Sequence, residues 1–151
     1  MQKNPTPPQP REAMLRELAG CLRAAAPDAW TELRYTLATT TSLTRTRLAA
    51  RLADGSTVPL RPPAAPGERL RGLREEMYEP GKGTWFSARY VLVRPDESRL
   101  EFDYDTEPDF GSEIGLEVPP LTFVRDLDRF PRDERHMPGW LRRKTREAEE
   151  R

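Results

Sequence analysis

Residues 84–105 read TWFSARYVLVRPDESRLEFDYD, and this stretch decides the fold. Two runs rich in β-branched and aromatic residues flank the turn sequence PDES, a pattern typical of a β-hairpin. The first run, Thr84 to Val93, is fairly apolar on both alternating faces, which predicts a strand in the middle of a sheet. In the second run Leu100, Phe102 and Tyr104 alternate with acidic residues. This alternation predicts a strand with an inward aromatic face and an outward carboxylate face.

Upstream, the chain predicts a helix followed by two or three further strands. Apolar residues recur every three or four positions over 11–25, as on one face of a helix. Alternation over 33–39 and again over 46–52 predicts two strands, after which Asp54-Gly55 forms a hairpin turn. A short third strand follows, and it should lie at an edge of the sheet because Pro59 has no N–H to donate.

The remaining elements are helices and one extended piece. Leu70, Leu73 and Met77 define a second helix between the two groups of strands. An extended piece is expected at 114–118, a brief helix from Pro120, and a last helix opened by Pro138. The order of elements predicts an α+β fold, a mostly antiparallel sheet of about five strands with helices packed on one face.

Length and proline distribution predict one domain with flexible ends. The 151 residues fit a single domain. Residues 1–10 are rich in proline and polar, so we expect them to be disordered. Residues 11–141 form the predicted α+β domain, and the charged tail 142–151 is expected to fray.

Composition indicates a cytoplasmic protein that does not associate with membranes. Cys21 is the single cysteine, which excludes an internal disulfide and suits a reducing compartment. The first thirty residues lack a signal-peptide pattern, and no apolar run approaches the roughly 18–20 residues that span a bilayer. Net charge is zero, yet residues 96–124 carry nine acidic groups and only Arg99 as a basic one.

Residue types argue against an enzyme, a metal site and a cofactor. The only candidate base is His136, in a polar stretch, and Cys21 lies on a largely apolar helix face. Gly81-Lys82-Gly83 is followed by a strand rather than a helix, which argues against a nucleotide cradle. Arg45 and the neighbouring arginines leave nucleic-acid binding as a minor hypothesis, which overall neutrality argues against.

The acidic residues after position 100 are the candidate site. They recur with period two, which places the first three about 7 Å apart on one strand face, too far apart to share one calcium ion easily. A solvated sheet face and a protein-contact surface both remain open at this point. The residues are Glu101, Asp103, Asp105, Glu107 and Asp109.

Two segments resemble the YezG-like family of bacterial immunity proteins. The first, LREEMYEPGKGTWFSARYVLVRPDESRLEFDYDTEPDF from Leu73, has a helix with an arginine, a glycine break, a tryptophan opening a strand, and an aromatic-acidic strand. The second, DLDRFPRDERHMPGWL, resembles the closing segment of the family. The residues that carry the resemblance are Arg74, Gly83, Trp85, Phe102, Asp103, Tyr104, Asp105, Pro108, Pro131, Arg132, Pro138 and Trp140.

The resemblance implies a non-catalytic antitoxin that binds and neutralises the C-terminal domain of a secreted polymorphic toxin. A nuclease or nucleotide-degrading toxin has a basic cleft, where the acidic strand could imitate phosphates. Trp85 and Trp140 would be aromatic anchors of that contact, with a core role as the other reading. Two alternatives are a regulatory module or adaptor without a toxin partner, and a cryptic enzyme using Asp103, Asp105 and His136.

Overall fold

The computed structural model describes the backbone of residues 8–150 and the side chains of residues 11–150. Residues 1–10 were predicted to be disordered, and residues 1–7 of that segment lie outside the described residues. The prediction is wrong for the three residues that follow, because helix α1 begins at Pro8. Proline fits the first turn of a helix, where its missing N–H would have no partner inside the helix.

Residues 8–150 form a five-stranded antiparallel sheet with four α-helices, which confirms the α+β prediction. The sheet has the strand order β3-β2-β1-β4-β5. The edge position of β3, which contains Pro59, and the interior position of β4 are confirmed. The elements are α1 (Pro8–Ala25), β1 (Trp30–Thr39), β2 (Thr44–Leu52), β3 (Thr57–Leu60), α2 (Ala64–Glu76), β4 (Ser87–Val93), β5 (Glu97–Asp103), α3 (Pro120–Arg129) and α4 (Gly139–Glu149).

Helices α1 and α2 cover one face of the sheet. Leu18 and Leu22 of α1 and Leu70 of α2 are fully buried against it. The aromatic side of β5 also turns toward this core, as predicted, since Phe102 packs against Trp85 with ring centroids 5.0 Å apart. The sheet contributes Leu33, Tyr35, Leu37, Leu48, Ala50, Ala88, Tyr90 and Leu92.

Helices α3 and α4 build a second, smaller core at one end of the sheet. It contains Phe123 of α3 and Leu141 of α4, together with Ala38 and Phe86 from the sheet end and Phe110 from the loop after β5. Placing all the helices on one face was therefore an incomplete prediction. None of the helices in the described part of the chain is long and apolar enough to cross a membrane.

Two further predictions are wrong. The charged tail is not frayed, because α4 continues to Glu149, anchored at its start by the buried Leu141. Arginine, lysine, glutamate and alanine are all good helix formers, so a charged segment can continue a helix that is anchored at one end. Ile114–Val118 contains no strand: a 3₁₀ turn over Ser112–Ile114 is followed by irregular chain.

Candidate functional site

One face of the sheet carries mostly charged side chains, and only its end at Ala38 packs against the core of α3 and α4. Residues paired directly across antiparallel strands project to the same face, so the register shows which side chains are neighbours. Two adjacent rows cross the sheet from β2 to β5. The first is Arg47, Thr36, Arg89 and Glu101, and the second is Arg45, Ala38, Ser87 and Asp103.

These rows and the chain after β5 enclose an open groove of about 850 Å³, here called the sheet groove. Small side chains form its floor, among them Thr36, Ala38 and Ser87. Its lining carries both charges, and Arg89 and Arg47 each lie beside an acid, Glu101 and Asp109. The basic residues Arg45, Arg47 and Arg89 are called the basic wall below, and the acidic residues Glu101, Asp103, Asp105 and Asp109 the acidic wall.

The structure thus brings four of the five predicted acidic residues together at one groove. They are solvent-exposed, as predicted, but each also has a partner within the protein. Glu101 lies 3.2 Å from the guanidinium of Arg89 and 3.3 Å from that of Arg99. Glu107 is the exception, because it faces away from the sheet groove and lies 3.7 Å from Lys144 Nζ.

Asp103 is the last residue of β5, and its carboxylate holds the turn that follows. Its Oδ1 accepts hydrogen bonds from the backbone N–H groups of Asp105 (3.1 Å) and Thr106 (2.9 Å). Partial burial acts to raise the pKa of this carboxyl, but the hydrogen bonds from Thr106 and Asp105 outweigh it and lower the pKa. The strand therefore ends here, and Asp105 lies on a turn rather than on the strand.

Asp109 performs the same role in the next loop. Its Oδ1 accepts from the N–H groups of Gly111 (2.9 Å) and Ser112 (2.8 Å), and these bonds lower its pKa. Arg47, on β2, lies 3.9 Å from its other oxygen. The next acid along, Glu113, bonds to Arg45 and Arg47, so this loop crosses the end of the sheet and is fastened to the basic wall.

Because Asp103 caps a turn, Asp103→Ala is expected to lower the free energy of unfolding by about 1 kcal/mol at pH 7. A carboxyl whose pKa is lower in the folded state stabilises the protein above its unfolded pKa of about 4, and that stabilisation is lost as pH falls through the folded pKa. The difference between Asp103→Ala and the native chain should therefore shrink between pH 5 and pH 3. Urea titrations at several pH values measure it.

The control is Glu101→Ala on the same strand. Glu101 makes only exposed ion pairs, which contribute less than about 0.5 kcal/mol. Equal losses for the two variants, or a loss at Asp103 that does not change with pH, would contradict the capping role.

Trp85 and Trp140, the two predicted aromatic anchors of a partner contact, lie in different surroundings. Trp85 is fully buried in the main core, so the prediction that it contacts a partner is wrong. Trp140 is half-buried, and its indole donates a hydrogen bond of 2.7 Å to the backbone oxygen of Asp105. Its ring packs edge-on against Phe86 and Phe123. It therefore positions the end of the acidic wall from α4.

The sequence analysis missed a buried ion pair between α2 and α3. The side chains of Arg74 on α2 and Asp126 on α3 are 4% and 2% exposed and form two hydrogen bonds of 2.9 and 2.7 Å. Asp126 also accepts from the backbone N–H and the hydroxyl of Thr41 in the β1–β2 turn. Arg74 donates further to the backbone oxygen of Trp85. This pair connects four elements, and 52 residues separate its members along the chain.

A second buried arginine, Arg132, holds the base of the acidic wall. Its side chain is 2% exposed and donates to the backbone oxygens of Tyr104 (2.6 Å), His136 (2.9 Å) and Thr84 (3.1 Å). Burial lowers the pKa of its guanidinium, against the opposing effect of Asp105. Gly83 makes room for it, since a Cβ there would lie 2.6 Å from Arg132 Nε.

The structure also places His136 and the side chains that could bind a metal ion. His136 Nδ1 lies 2.8 Å from Asp133 Oδ1, so the structure pairs the imidazole with Asp133 rather than with Asp103 or Asp105. Within residues 11–150, no group of three or more histidine, cysteine, aspartate or glutamate side chains is placed to hold a metal ion.

A scan against protein-family models finds no family that matches this chain, and a search of curated proteins finds no match.

Proposed function

We propose that this chain is a cytoplasmic immunity protein that binds a cognate polymorphic-toxin domain, a nuclease or nucleotide-degrading enzyme, and neutralises it by non-covalent contact. The observation that carries the proposal is the convergence of Glu101, Asp103, Asp105 and Asp109 on one open groove. The resemblance to YezG-like immunity proteins supplies the class of partner. The buried arginines and the caps make the groove rigid, which lowers the entropic cost of binding.

The acidic wall remains available to a partner although its carboxylates have partners of their own. The side chains of Glu101, Asp105 and Asp109 are 47%, 78% and 54% exposed. Exposed ion pairs such as these contribute about 0.5 kcal/mol or less each. Lysine or arginine side chains from a toxin cleft could therefore replace or join the internal partners at little cost.

The two walls together favour a partner that carries both charges. The acidic wall attracts the cationic side chains that surround a phosphate-binding cleft and speeds the encounter. The basic wall of Arg45, Arg47 and Arg89 would meet acidic side chains of the same partner, and this would fix the orientation of the complex. A partner with a uniformly basic surface would lose affinity at the basic wall, which contributes to specificity.

The test is titration of the purified chain with the toxin domain encoded by the adjacent gene. Glu101→Lys is expected to weaken the complex at least tenfold, because it reverses a charge in the middle of the acidic wall without touching a cap. The matched control is Glu17→Lys on α1, behind the sheet. Glu17 is 51% exposed and also pairs with an arginine, Arg69, so its reversal should leave affinity unchanged.

Each outcome bears on a different part of the proposal. Absence of a complex with the native chain would overturn the immunity function. A complex that Glu101→Lys leaves intact, or that both reversals weaken equally, would remove the sheet groove as its site.

A further inference from the structure

The large hydrophobic side chains that the structure exposes fall within one short stretch of chain. Within residues 11–150 they are Ile114, Leu116 and Leu121, which are 71%, 46% and 47% exposed. Ile114 and Leu116 flank Gly115 in the loop before α3, and Leu121 lies in the first turn of α3. Isolated exposed hydrophobic residues are ordinary, but a concentrated group of them marks a contact surface.

Leu121 lines a shallow groove between α3 and α4. Leu121, Val124 and Leu127 recur every three residues and therefore share one side of α3. Ala148 and Thr145 of α4 form the opposite side of this groove, which has a volume of about 360 Å³. A second cleft of about 410 Å³ is lined by neighbouring residues of α3 and α4 and by the loop before α3, and its apolar lining includes Leu116, Val118, Pro120 and Phe123. Apolar side chains of the loop, α3 and α4 thus line two clefts, called together the α3–α4 surface.

Carboxylates that form no ion pair within the described part of the chain line this surface. Asp128 and Glu149 line the first groove, and Glu117 and Glu147 line the second. None of these four forms an ion pair with the residues that the structure describes, in contrast to the acids of the sheet groove. The one cation in the linings is Lys144, which lies beside Glu107.

We propose that the α3–α4 surface is a docking site for a basic amphipathic helix of a partner protein. A groove between two helices accepts a third helix whose apolar residues recur every three or four positions. The acidic rim selects for lysine or arginine on the borders of that apolar stripe, because each would meet an unpaired carboxylate. The acidic lining of the two clefts disfavours a phosphate-bearing occupant there and fits a cationic protein segment better. This site shares only Asp109 with the lining of the sheet groove, and it does not depend on a toxin partner.

The test uses two labelled 18-residue peptides with leucine every three or four positions. One carries lysine at the remaining positions and the other carries glutamate. Fluorescence anisotropy with the full chain should show the lysine peptide binding at least tenfold more tightly than the glutamate peptide. Leu121→Ser and Asp128→Lys should each weaken the lysine peptide about fivefold or more. Both side chains are exposed, so neither change should affect folding.

The matched control is Glu17→Lys, which reverses an exposed acid on α1. It should leave the affinity for the lysine peptide unchanged. Equal binding of the two peptides, binding of neither, or an equal loss at Glu17 and Asp128 would overturn the proposal. Amide chemical shifts give an independent measurement: changes outside residues 107–128 and 144–149 would also contradict it.

Discussion

Asp126→Asn is expected to lower the free energy of unfolding by about 3–5 kcal/mol. The substitution removes the negative charge that faces the buried Arg74 guanidinium, whose side chain is 4% exposed. Removing one member of a buried ion pair is costly because the remaining charge is left without compensation in a medium of low dielectric constant. A domain of this size has a total stability of about 5–15 kcal/mol, so much of it would be lost. Urea denaturation followed by circular dichroism measures the change.

Asp128→Asn is the matched control, two residues along the same helix. Asp128 is exposed and has no ion pair within the described chain, so its neutralisation should change stability by less than about 0.5 kcal/mol. A further variant, Arg74→Met with Asp126→Leu, should recover part of the loss, because a hydrophobic pair leaves no buried charge. A loss below 1 kcal/mol for Asp126→Asn would show that the pair does not hold these elements together.

Arg132→Met is expected to lower the free energy of unfolding by about 2–4 kcal/mol. Methionine fills much of the space but cannot donate hydrogen bonds. The backbone oxygens of Thr84, Tyr104 and His136 would then lose their donor, and each part-buried acceptor left without one costs about 1 kcal/mol or more. Because Tyr104 and Asp105 follow β5 directly, the base of the acidic wall should also loosen. Faster amide hydrogen exchange over residues 103–107 would show this.

Arg129→Met is the control for that experiment. Arg129 is 54% exposed and makes one ion pair with Glu75, so its loss should cost less than about 0.5 kcal/mol. Similar stability of the two variants, or unchanged exchange near Tyr104 in Arg132→Met, would contradict the role assigned to Arg132.

Local patterns were sufficient to predict the sheet. Alternation along β1, β2 and β5 reports directly which side of each strand is buried, and the absent N–H of Pro59 places β3 at an edge whatever the rest of the chain does. The limits of α1 and α4 were harder to predict. Pro8 is acceptable in a first helical turn, and a charged helix is held by the few apolar residues that anchor its start, such as Leu141.

The buried arginines could not be predicted in the same way. Arg74 and Arg132 occur in a chain with many exposed arginines, and nothing local distinguishes them. Their partners, Asp126 and the backbone oxygens after β5, are brought near only by the packing of α3 and by the loop geometry. Gly83 is a weak sequence signal for the buried Arg132. A glycine is needed at this position because φ is positive and the Arg132 side chain lies against the backbone.

The acidic strand was predicted correctly in position and only partly in chemistry. Glu101 and Asp103 face the solvent, as alternation requires, but the sequence does not show that β2 and β4 place Arg47 and Arg89 on the same face. Sheet order determines that neighbourhood, and it depends on long-range pairing. The same limitation explains why Asp103 and Asp109 were not recognised as caps of the turns that follow them.

The central claim is that the sheet groove is the partner-binding surface, and hydrogen–deuterium exchange on the complex tests it most directly. The native chain is compared free and bound to the toxin domain encoded by the adjacent gene. The claim predicts new protection over β5 and the turn residues 103–111, with α1 and α2 unchanged. Protection confined to α1 and α2, or no change over β5 in a saturated complex, would contradict it.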